Sequence, residues 1–253
     1  FPILPAIAAE LGLPRSVRIS AGGGDNMMAA IGTGNVAPGV LTMSLGTSGT
    51  LFACADHALV DADGGWAAFC SSSGGWLPLI CTMNCPVATE NVARAFGFDS
   101  RDGDAVMEGT RPGASFHGLD AGNFTRANAY RAAMEGATYT LRFGFDALRR
   151  AGLAFDAIRL TGGGSRSRAW RQMIADVFEL PVAVPEGPEG AAFGAALQAL
   201  WACETPGSQA DLIAIAGQHV ALAGAQSAIP DPATGSLYRN AYASFLLHLD
   251  TRT

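Results

Sequence analysis

The chain has 253 residues, of which 49% are apolar and 15% are charged, and its net charge is −6. This composition supports a large core and excludes intrinsic disorder, and no apolar run reaches the roughly 18 residues of a transmembrane helix. All sixteen basic residues are arginines, which excludes a P-loop and the protein-kinase arrangement, because each needs a lysine at the phosphates. No basic stripe is present, so neither nucleic acid nor a membrane is an expected partner.

The N-terminus, Phe1-Pro-Ile-Leu-Pro5, has no basic region and no cleavage pattern, so a signal peptide is not predicted. It also lacks a starting methionine, and we expect a chain cut from something longer. The five cysteines, at 54, 70, 81, 85 and 203, are irregularly spaced and accompany no histidine pair. They predict buried, reduced thiols in a cytoplasmic protein rather than a metal site or a disulfide framework.

The predicted strands and helices alternate along the chain. The pattern predicts a helix over 3–11, a strand over 17–21 and a short helix over 26–31. Apolar segments 40–45 and 50–55, joined by Gly46-Thr-Ser-Gly49, indicate a hairpin. Strands and turns follow over 64–76, a helix over 88–96 and a loop over 97–125. We therefore expect an α/β fold whose sheet is mixed, since it contains the hairpin.

The second half continues the alternation. Apolar residues spaced three and four apart predict a long helix over 126–150 and a second helix over 168–178. Strands are expected over 157–161 and 182–184, and another helix over 189–201. The tail from 205 is weaker and predicts one final helix near 237–247.

Three consecutive glycines, at 22–24, precede Asp25 and Asn26. Without a Cβ, glycines let the backbone turn sharply and let a ligand come close. A carboxylate after such a turn faces the adjoining cleft, where an ATP-dependent enzyme needs a group that accepts a proton from a substrate hydroxyl. The alternative is an ordinary turn in which Asp25 caps the next helix.

Two further glycine-rich segments are candidate phosphate cradles. The first is the hairpin tip Ser44-Leu-Gly-Thr-Ser-Gly-Thr50, whose amides and hydroxyls can form an anion-binding nest without lysine; an ordinary hairpin turn is the alternative. The second is Leu160-Thr-Gly-Gly-Gly-Ser165, where a helix dipole adds to the amides. Its alternative is a tight strand–helix connection capped by Ser165 or Ser167. Asn84 is polar in an apolar setting and is a candidate for the nucleotide pocket.

Four segments in this order resemble the C-terminal half of FGGY-family carbohydrate kinases, over about residues 3–203. They are Ala21-Gly-Gly-Gly-Asp-Asn26, Ser44-Leu-Gly-Thr-Ser-Gly49, Thr161-Gly-Gly-Gly-Ser165 and Glu189-Gly-Ala-Ala-Phe-Gly-Ala-Ala196. Ala114-Ser-Phe-His-Gly-Leu119, followed by Asn128 and Ala132-Ala-Met-Glu135, is similar to the longer family pattern. Ala129 departs from that pattern, in which the family has a larger aliphatic residue. Within the family, the segment around Asp25 looks most like xylulokinases.

The resemblance implies an actin-like (ribonuclease H-like) ATPase fold in which two domains close on ATP and a sugar. Asp25 matches the family's catalytic base, and Asp25 and Asn26 are the expected substrate-binding residues. The residues expected to bind ATP lie in the two cradles and beside them: Gly46, Thr47, Ser48, Asn84, Gly163, Gly164 and Ser167.

One part of the family pattern is missing. Nothing in the chain resembles the first phosphate loop, Asp-x-Gly-Thr, which in the family lies in the N-terminal domain and helps to place Mg²⁺. We therefore expect 1–253 to be a C-terminal domain, with a core over about 13–203 and a helical tail over about 205–253, whose N-terminal domain is absent. Mg²⁺ is an expected cofactor with no ligand from this chain.

The activity implied is ATP-dependent phosphorylation of a ketopentose, D-xylulose to D-xylulose 5-phosphate, in the cytoplasm, with a homodimer as one assembly to test. One alternative is an FGGY kinase for another polyol or sugar acid, such as glycerol, ribulose or gluconate. The other is a non-catalytic nucleotide-binding module of the actin-like superfamily. The isolated fragment 1–253 is expected to bind ATP weakly and to phosphorylate nothing.

Overall fold

The computed structural model describes residues 1–83, 85–99, 122–187, 190–204 and 208–250. Within these ranges a six-stranded mixed sheet lies between two layers of helices, with strand order β3-β4-β2-β1-β5-β6. The strands are β1 Gly39–Leu45, β2 Gly49–Ala53, β3 Ala67–Cys70, β4 Trp76–Thr82, β5 Phe155–Thr161 and β6 Val182–Ala183. Strand β1 pairs parallel with β5, and β5 pairs parallel with β6, while the other pairs are antiparallel. The predicted mixed α/β sheet and the β1–β2 hairpin are confirmed.

The helices are α1 Pro5–Glu10, α2 Asp25–Gly32, α3 Pro86–Ala95, α4 Arg126–Arg150, α5 Arg168–Phe178, α6 Gly190–Glu204, α7 Gln209–His219 and α8 Pro232–Asp250. Two short 3-10 helices span Gly163–Arg166 and Gly224–Gln226. Helices α4 and α5 have the predicted bounds. Each begins at a side-chain cap, because the hydroxyls of Thr125 and Ser167 accept from the backbone N–H groups of Asn128 and Trp170.

Successive side chains of β1 and β2 point to opposite faces of the sheet, and each face packs against different helices. The main core packs one face, including Leu41, Met43 and Leu45, against α4 and α5. On the other face, Phe52 and Leu77 pack against Ala30 of α2. Beyond α2, helices α6 and α7 form a further cluster. This layering sets α2 between the sheet and α6.

Helix α2 crosses α6 at backbone contact. A Cβ added at Gly194 would lie 1.8 Å from the carbonyl oxygen of Met28, and one added at Gly32 would lie 1.9 Å from that of Gly190. No side chain larger than a hydrogen fits between the two helices at these points. Glycine therefore fixes how closely α2, which begins at Asp25, approaches α6.

The predicted elements and the structure differ in several places. Strand β4 runs over Trp76–Thr82, beyond the strands and turns predicted over 64–76. Residues 17–21 do not form a strand, since only Arg18 makes an isolated bridge, with Pro2. Helix α7 was not predicted, although Ser208 caps it by accepting from the backbone N–H of Asp211. The final helix is longer than expected, because α8 begins at Pro232.

The prediction of buried thiols is wrong for three of the five cysteines. Cys54 and Cys85 are buried, whereas Cys70, Cys81 and Cys203 are exposed, and all five are free. Burial raises the pKa of the Cys85 thiol to about 12 and also raises the pKa of Cys54, against smaller lowering effects of hydrogen bonds from Ser73 and Ser71. The two buried thiols are therefore held in the protonated form at neutral pH.

Candidate functional site

The two predicted cradles meet at one edge of the sheet. Strands β1 and β5 are parallel neighbours, with Ser44 opposite Thr161 near their carboxyl ends. The loop Gly46–Ser48 follows β1, and the turn Gly162–Gly164 follows β5. Loops that follow parallel strands project from the same edge of a sheet, which is where α/β proteins bind ligands. Two segments more than 110 residues apart therefore converge.

The three glycines after β5 serve different purposes. Gly162 has φ +82, and a Cβ there would lie 2.5 Å from the carbonyl oxygen of Leu45. A Cβ at Gly164 would lie 2.8 Å from Leu45 Cβ and 3.3 Å from a Trp170 ring carbon. A Cβ at Gly163 would meet no described atom within 4 Å. Thus Gly162 and Gly164 let the turn pack on β1, and Gly163 leaves backbone open to a ligand.

A cavity of about 670 Å³ opens between these loops and the start of α3. Five of the residues predicted to bind ATP line it, namely Gly46, Thr47, Gly163, Gly164 and Ser167. The sequence analysis did not predict the remaining lining residues as ATP contacts; they are Leu45, Pro86, Val87, Thr89, Glu90, Tyr130, Arg166 and Trp170. Ligand pockets of small molecules have volumes of about 300–1,000 Å³, so this cavity is of suitable size.

The turn that borders the cavity is braced by hydrogen bonds from behind. The buried guanidinium of Arg171 donates to the carbonyl oxygens of Ser165, at 2.7 Å, and Arg166, at 3.0 Å. The hydroxyl of Ser165 donates to the carbonyl oxygen of Gly162 at 2.7 Å. Trp170 is buried and donates from its indole nitrogen to the hydroxyl of Thr138. The backbone amides of the turn are therefore held by contacts that need no ligand.

The charge at the cavity suits an anion on one side. The eleven-residue helix α5 begins at the cavity wall, where its dipole favours negative charge. Arg166 adds a guanidinium to the same wall, and Glu90 places a carboxylate on the α3 side. Of the predicted serines, Ser167 caps α5 and Ser165 does not.

Asp25 and Asn26 do not line the cavity, and neither does Ser48. Asp25 is the first residue of α2 and is exposed, and Gly24 occupies the N-cap position, so the capping alternative is wrong. The Oδ1 atom of Asp25 accepts from the backbone N–H of Asn26 at 2.8 Å and from its Nδ2 at 3.2 Å. This leaves Oδ2 of an exposed carboxylate at the end of a glycine turn.

Some predicted residues lie outside the described part of the chain. They include Asn84, Glu189 and the segment 114–119 of the longer pattern. Asn128 is described and belongs to the first turn of α4, where its Nδ2 donates to the carbonyl oxygen of Asn123. Ala129 is buried, which agrees with a packing role for that position.

In the residues that the structure describes, no three His, Cys, Asp or Glu side chains are close enough together to hold a metal ion. A search of the same residues finds no helix with the length and apolar character needed to cross a membrane.

Residues 102–203 match the FGGY family of carbohydrate kinases, C-terminal domain. A xylulose kinase of Haemophilus influenzae is 41% identical to the chain over 269 residues, which cover 98% of this chain and 54% of that protein. A xylulose kinase of Streptomyces coelicolor is 37% identical over 74% of this chain and 42% of that protein. Among solved structures, a "xyloylose kinase" from Brucella ovis superposes with a TM-score of 0.89 at 28% identity, covering 99% of this chain and 55% of that chain.

The chain spans about half the length of the curated relatives it matches. The likeness to solved FGGY kinases confirms the actin-like ATPase fold. Sequence identity, fold and the ordered glycine segments agree, and the chain belongs to the FGGY family of carbohydrate kinases.

Proposed function

We propose that the protein containing this chain transfers phosphate from ATP to a ketopentose, converting D-xylulose to D-xylulose 5-phosphate. The observation that carries the proposal is the meeting of the Gly46–Ser48 loop and the Gly162–Gly164 turn at one cavity. A sugar kinase needs such a place for a nucleotide. The relatives at 41% and 37% identity are xylulose kinases, which supports the choice of sugar.

In this proposal the cavity holds ATP. The amides of the two loops and the N-terminus of α5 bind phosphate oxygens, and Arg166 adds a positive charge. The open backbone at Gly163 lets the nucleotide approach without a side chain in the way. Ser48 and Asn84 remain proposed ATP contacts. Because phosphoryl transfer asks for little covalent chemistry from the protein, positioning and charge neutralisation dominate.

Asp25 is the proposed general base, and Asn26 lies beside it at the proposed sugar site. A sugar hydroxyl oxygen attacks the γ-phosphorus of ATP while the bond from that phosphorus to the β–γ bridging oxygen breaks and ADP leaves. The hydroxyl proton passes to the Asp25 carboxylate, whose Oδ2 atom is not engaged by Asn26. A carboxylate at the first turn of a helix is well placed for this because it is exposed and its backbone is ordered.

The rest of the site is proposed to come from a companion N-terminal domain, since the relatives are about twice as long as this chain. The N-terminal segment leaves a run of large apolar side chains exposed, as expected of a surface covered by another domain: Phe1, Leu4, Ile7, Leu11, Leu13 and Ile19. The glycine turn and Asp25 come next along the chain. We therefore place Asp25 at a cleft between two domains, of which this chain supplies one wall.

Mg²⁺ is proposed as the metal that accompanies ATP. The described residues do not fit a metal site, because they contain no group of three His, Cys, Asp or Glu side chains that could hold the ion. The metal ligands are assigned to ATP and to the companion domain. A cytoplasmic location and a homodimer remain predictions.

The test is Asp25→Asn in the full-length protein, assayed by coupled ADP release. Loss of a general base lowers kcat by about 10²–10⁴-fold, and ATP affinity should stay unchanged, since Asp25 is not at the cavity. Asp156→Asn is the control, because this exposed carboxylate lies near the start of β5, away from the strand end that meets the cavity. Near-normal turnover of Asp25→Asn would refute the role of Asp25.

A panel of sugars tests the substrate. A strong preference for glycerol or gluconate over D-xylulose would refute the ketopentose assignment, and a gluconokinase is among the relatives, at 28% identity. ATP binding without phosphorylation of any sugar by the full-length protein would favour the non-catalytic module. The fragment 1–253 alone should bind ATP weakly and transfer no phosphate.

A further inference from the structure

The side chain of Gln198 connects α6 to the glycine turn that precedes Asp25. Gln198 is 4% exposed and lies four residues after Gly194, on the same face of α6. Its Oε1 accepts from the backbone N–H of Gly22 at 2.8 Å. Its Nε2 donates to the carbonyl oxygens of Gly22 and Ser72, each at 3.3 Å. The whole amide group is therefore used, and only one orientation of the amide satisfies these partners.

The turn itself offers few other constraints. Gly22 adopts φ +72, and the N-cap residue of α2, Gly24, has no side chain to hold the helix start. From the other side, Ser72 approaches so closely that a Cβ at Gly23 would lie 2.1 Å from its hydroxyl oxygen, and that hydroxyl donates to the carbonyl oxygen of Gly22. The path of the backbone into Asp25 thus depends on Gln198 and Ser72.

The spacing of residues along α6 also indicates that this helix positions α2 and the turn before it. Gly190, Gly194 and Gln198 recur every four residues and form one stripe toward α2. Gly194 lies against the Met28 carbonyl of α2, the carbonyl of Gly190 lies against Gly32, and Gln198 reaches beyond the start of α2. One face of α6 therefore sets the distance between α6 and α2. The same face also sets the direction from which the backbone enters α2.

We propose that Gln198 is a positioning residue that holds the Gly22–Gly24 turn so that the Asp25 carboxylate points into the cleft. The inference rests on the proposed function of Asp25 as the base. Gln198 is not expected to touch ATP or sugar, because its amide is saturated by protein groups and it does not line the nucleotide cavity.

The experiment is Gln198→Leu in the full-length protein, with Gln209→Leu as the matched control. Gln209, the first residue of α7, also donates its amide to a backbone carbonyl, that of Val36 at 3.0 Å, and among the described residues it makes no hydrogen bond to the turn. A misplacement of a reacting group by about 1 Å costs up to about 100-fold in rate. We therefore expect Gln198→Leu to lower kcat by about 10- to 100-fold while ATP affinity stays within about twofold, and Gln209→Leu to retain the wild-type kcat.

A second variant, Gln198→Glu, gives a signature that lost stability alone would not produce. The ionised carboxylate can accept from the Gly22 N–H but cannot donate to the carbonyl oxygens of Gly22 and Ser72. Protonation restores one donor, and burial beside two carbonyl oxygens raises the pKa of the new carboxyl group. The ratio of its kcat to that of the wild type should therefore rise as pH falls, and this variant carries the test if Gln198→Leu does not fold.

Three results would overturn the inference: a wild-type kcat for Gln198→Leu when Asp25→Asn is inactive, an equal loss for the Gln209→Leu control, or a kcat ratio for Gln198→Glu that does not change with pH. If the wild-type protein phosphorylates no sugar, the proposed function fails by itself. In that case, the hydrogen-exchange rate of the Gly22 amide measures whether Gln198 restrains the turn. Faster exchange in Gln198→Leu supports the positioning role of Gln198, and unchanged exchange refutes it.

Discussion

Replacing Gly194 by alanine should separate α2 from α6. The new Cβ would lie 1.8 Å from the carbonyl oxygen of Met28 and 2.7 Å from the backbone nitrogen of Gly32. Because carbon–oxygen contacts need roughly 3.4 Å, the helices must move apart by roughly 1.5 Å, against packing that includes Ile31 and Leu197. Overpacking of this kind costs about 1–3 kcal/mol, and backbone atoms on both sides leave no flexible side chain to yield.

The gain in helix propensity from glycine to alanine, about 1 kcal/mol, offsets part of this cost. Because the clash is with backbone, the cost lies at the upper end of that range, about 3 kcal/mol, which leaves a net loss of about 2 kcal/mol in the free energy of unfolding. This corresponds to a fall in Tm of about 4–8 °C for a domain of this size. The assay is thermal and urea unfolding followed by circular dichroism. Gly217→Ala in α7 is the control, since its Cβ meets no described atom within 4 Å, and it should be neutral or stabilising. Equal stability of the two variants would refute the reasoning from close helix contact.

Three further predictions concern the cavity and the thiols. Gly163→Val should weaken ATP binding by about tenfold, because its side chain fills space where the nucleotide meets backbone, and calorimetry of this variant against Gly224→Val would show it; equal affinities would contradict the placement of ATP. In the native chain at pH 8, a thiol reagent should modify Cys70, Cys81 and Cys203 rapidly and reach Cys54 and Cys85 only after unfolding. The folded pKa of Cys85, about 12, lies above the unfolded value of about 8.5. Its contribution to stability is therefore complete below about pH 8.5 and is lost as pH rises toward 12. Urea unfolding at several pH values measures this, and stability that rises across that interval would contradict it.

Sequence patterns predicted the helices and the hairpin that are specified by residues within or next to them. The helices α4 and α5 follow from apolar residues at three- and four-residue spacing together with hydroxyl caps at Thr125 and Ser167. The hairpin follows from Gly46-Thr-Ser-Gly49 between two apolar runs. Helix α7 carried a comparable signal, Ser208 followed by Asp211, which a search for capping residues would have found.

Features that depend on partners distant in the chain were not predictable in this way. The segment 17–21 pairs with no strand in the described residues and makes only one isolated bridge, from Arg18 to Pro2. The α3 wall of the cavity, including Thr89 and Glu90, depends on how α3 packs, which periodicity does not reveal. Gln198 lies in a mostly apolar helix, and only the tertiary structure shows that its amide reaches Gly22, 176 positions away.

The two edges of the sheet differ in a way that affects how the chain associates with copies of itself. At one edge, the two-residue strand β6 is covered by a bridge from Val182 to Ala228. At the other edge, all four residues of β3, Ala67–Cys70, are exposed and uncharged, and no described strand lies beyond them. An open edge without charge or proline is a template on which a strand of another molecule can add. In concentrated solution, copies of this chain should therefore associate through β3 first. The single substitution Ala68→Lys should reduce this association.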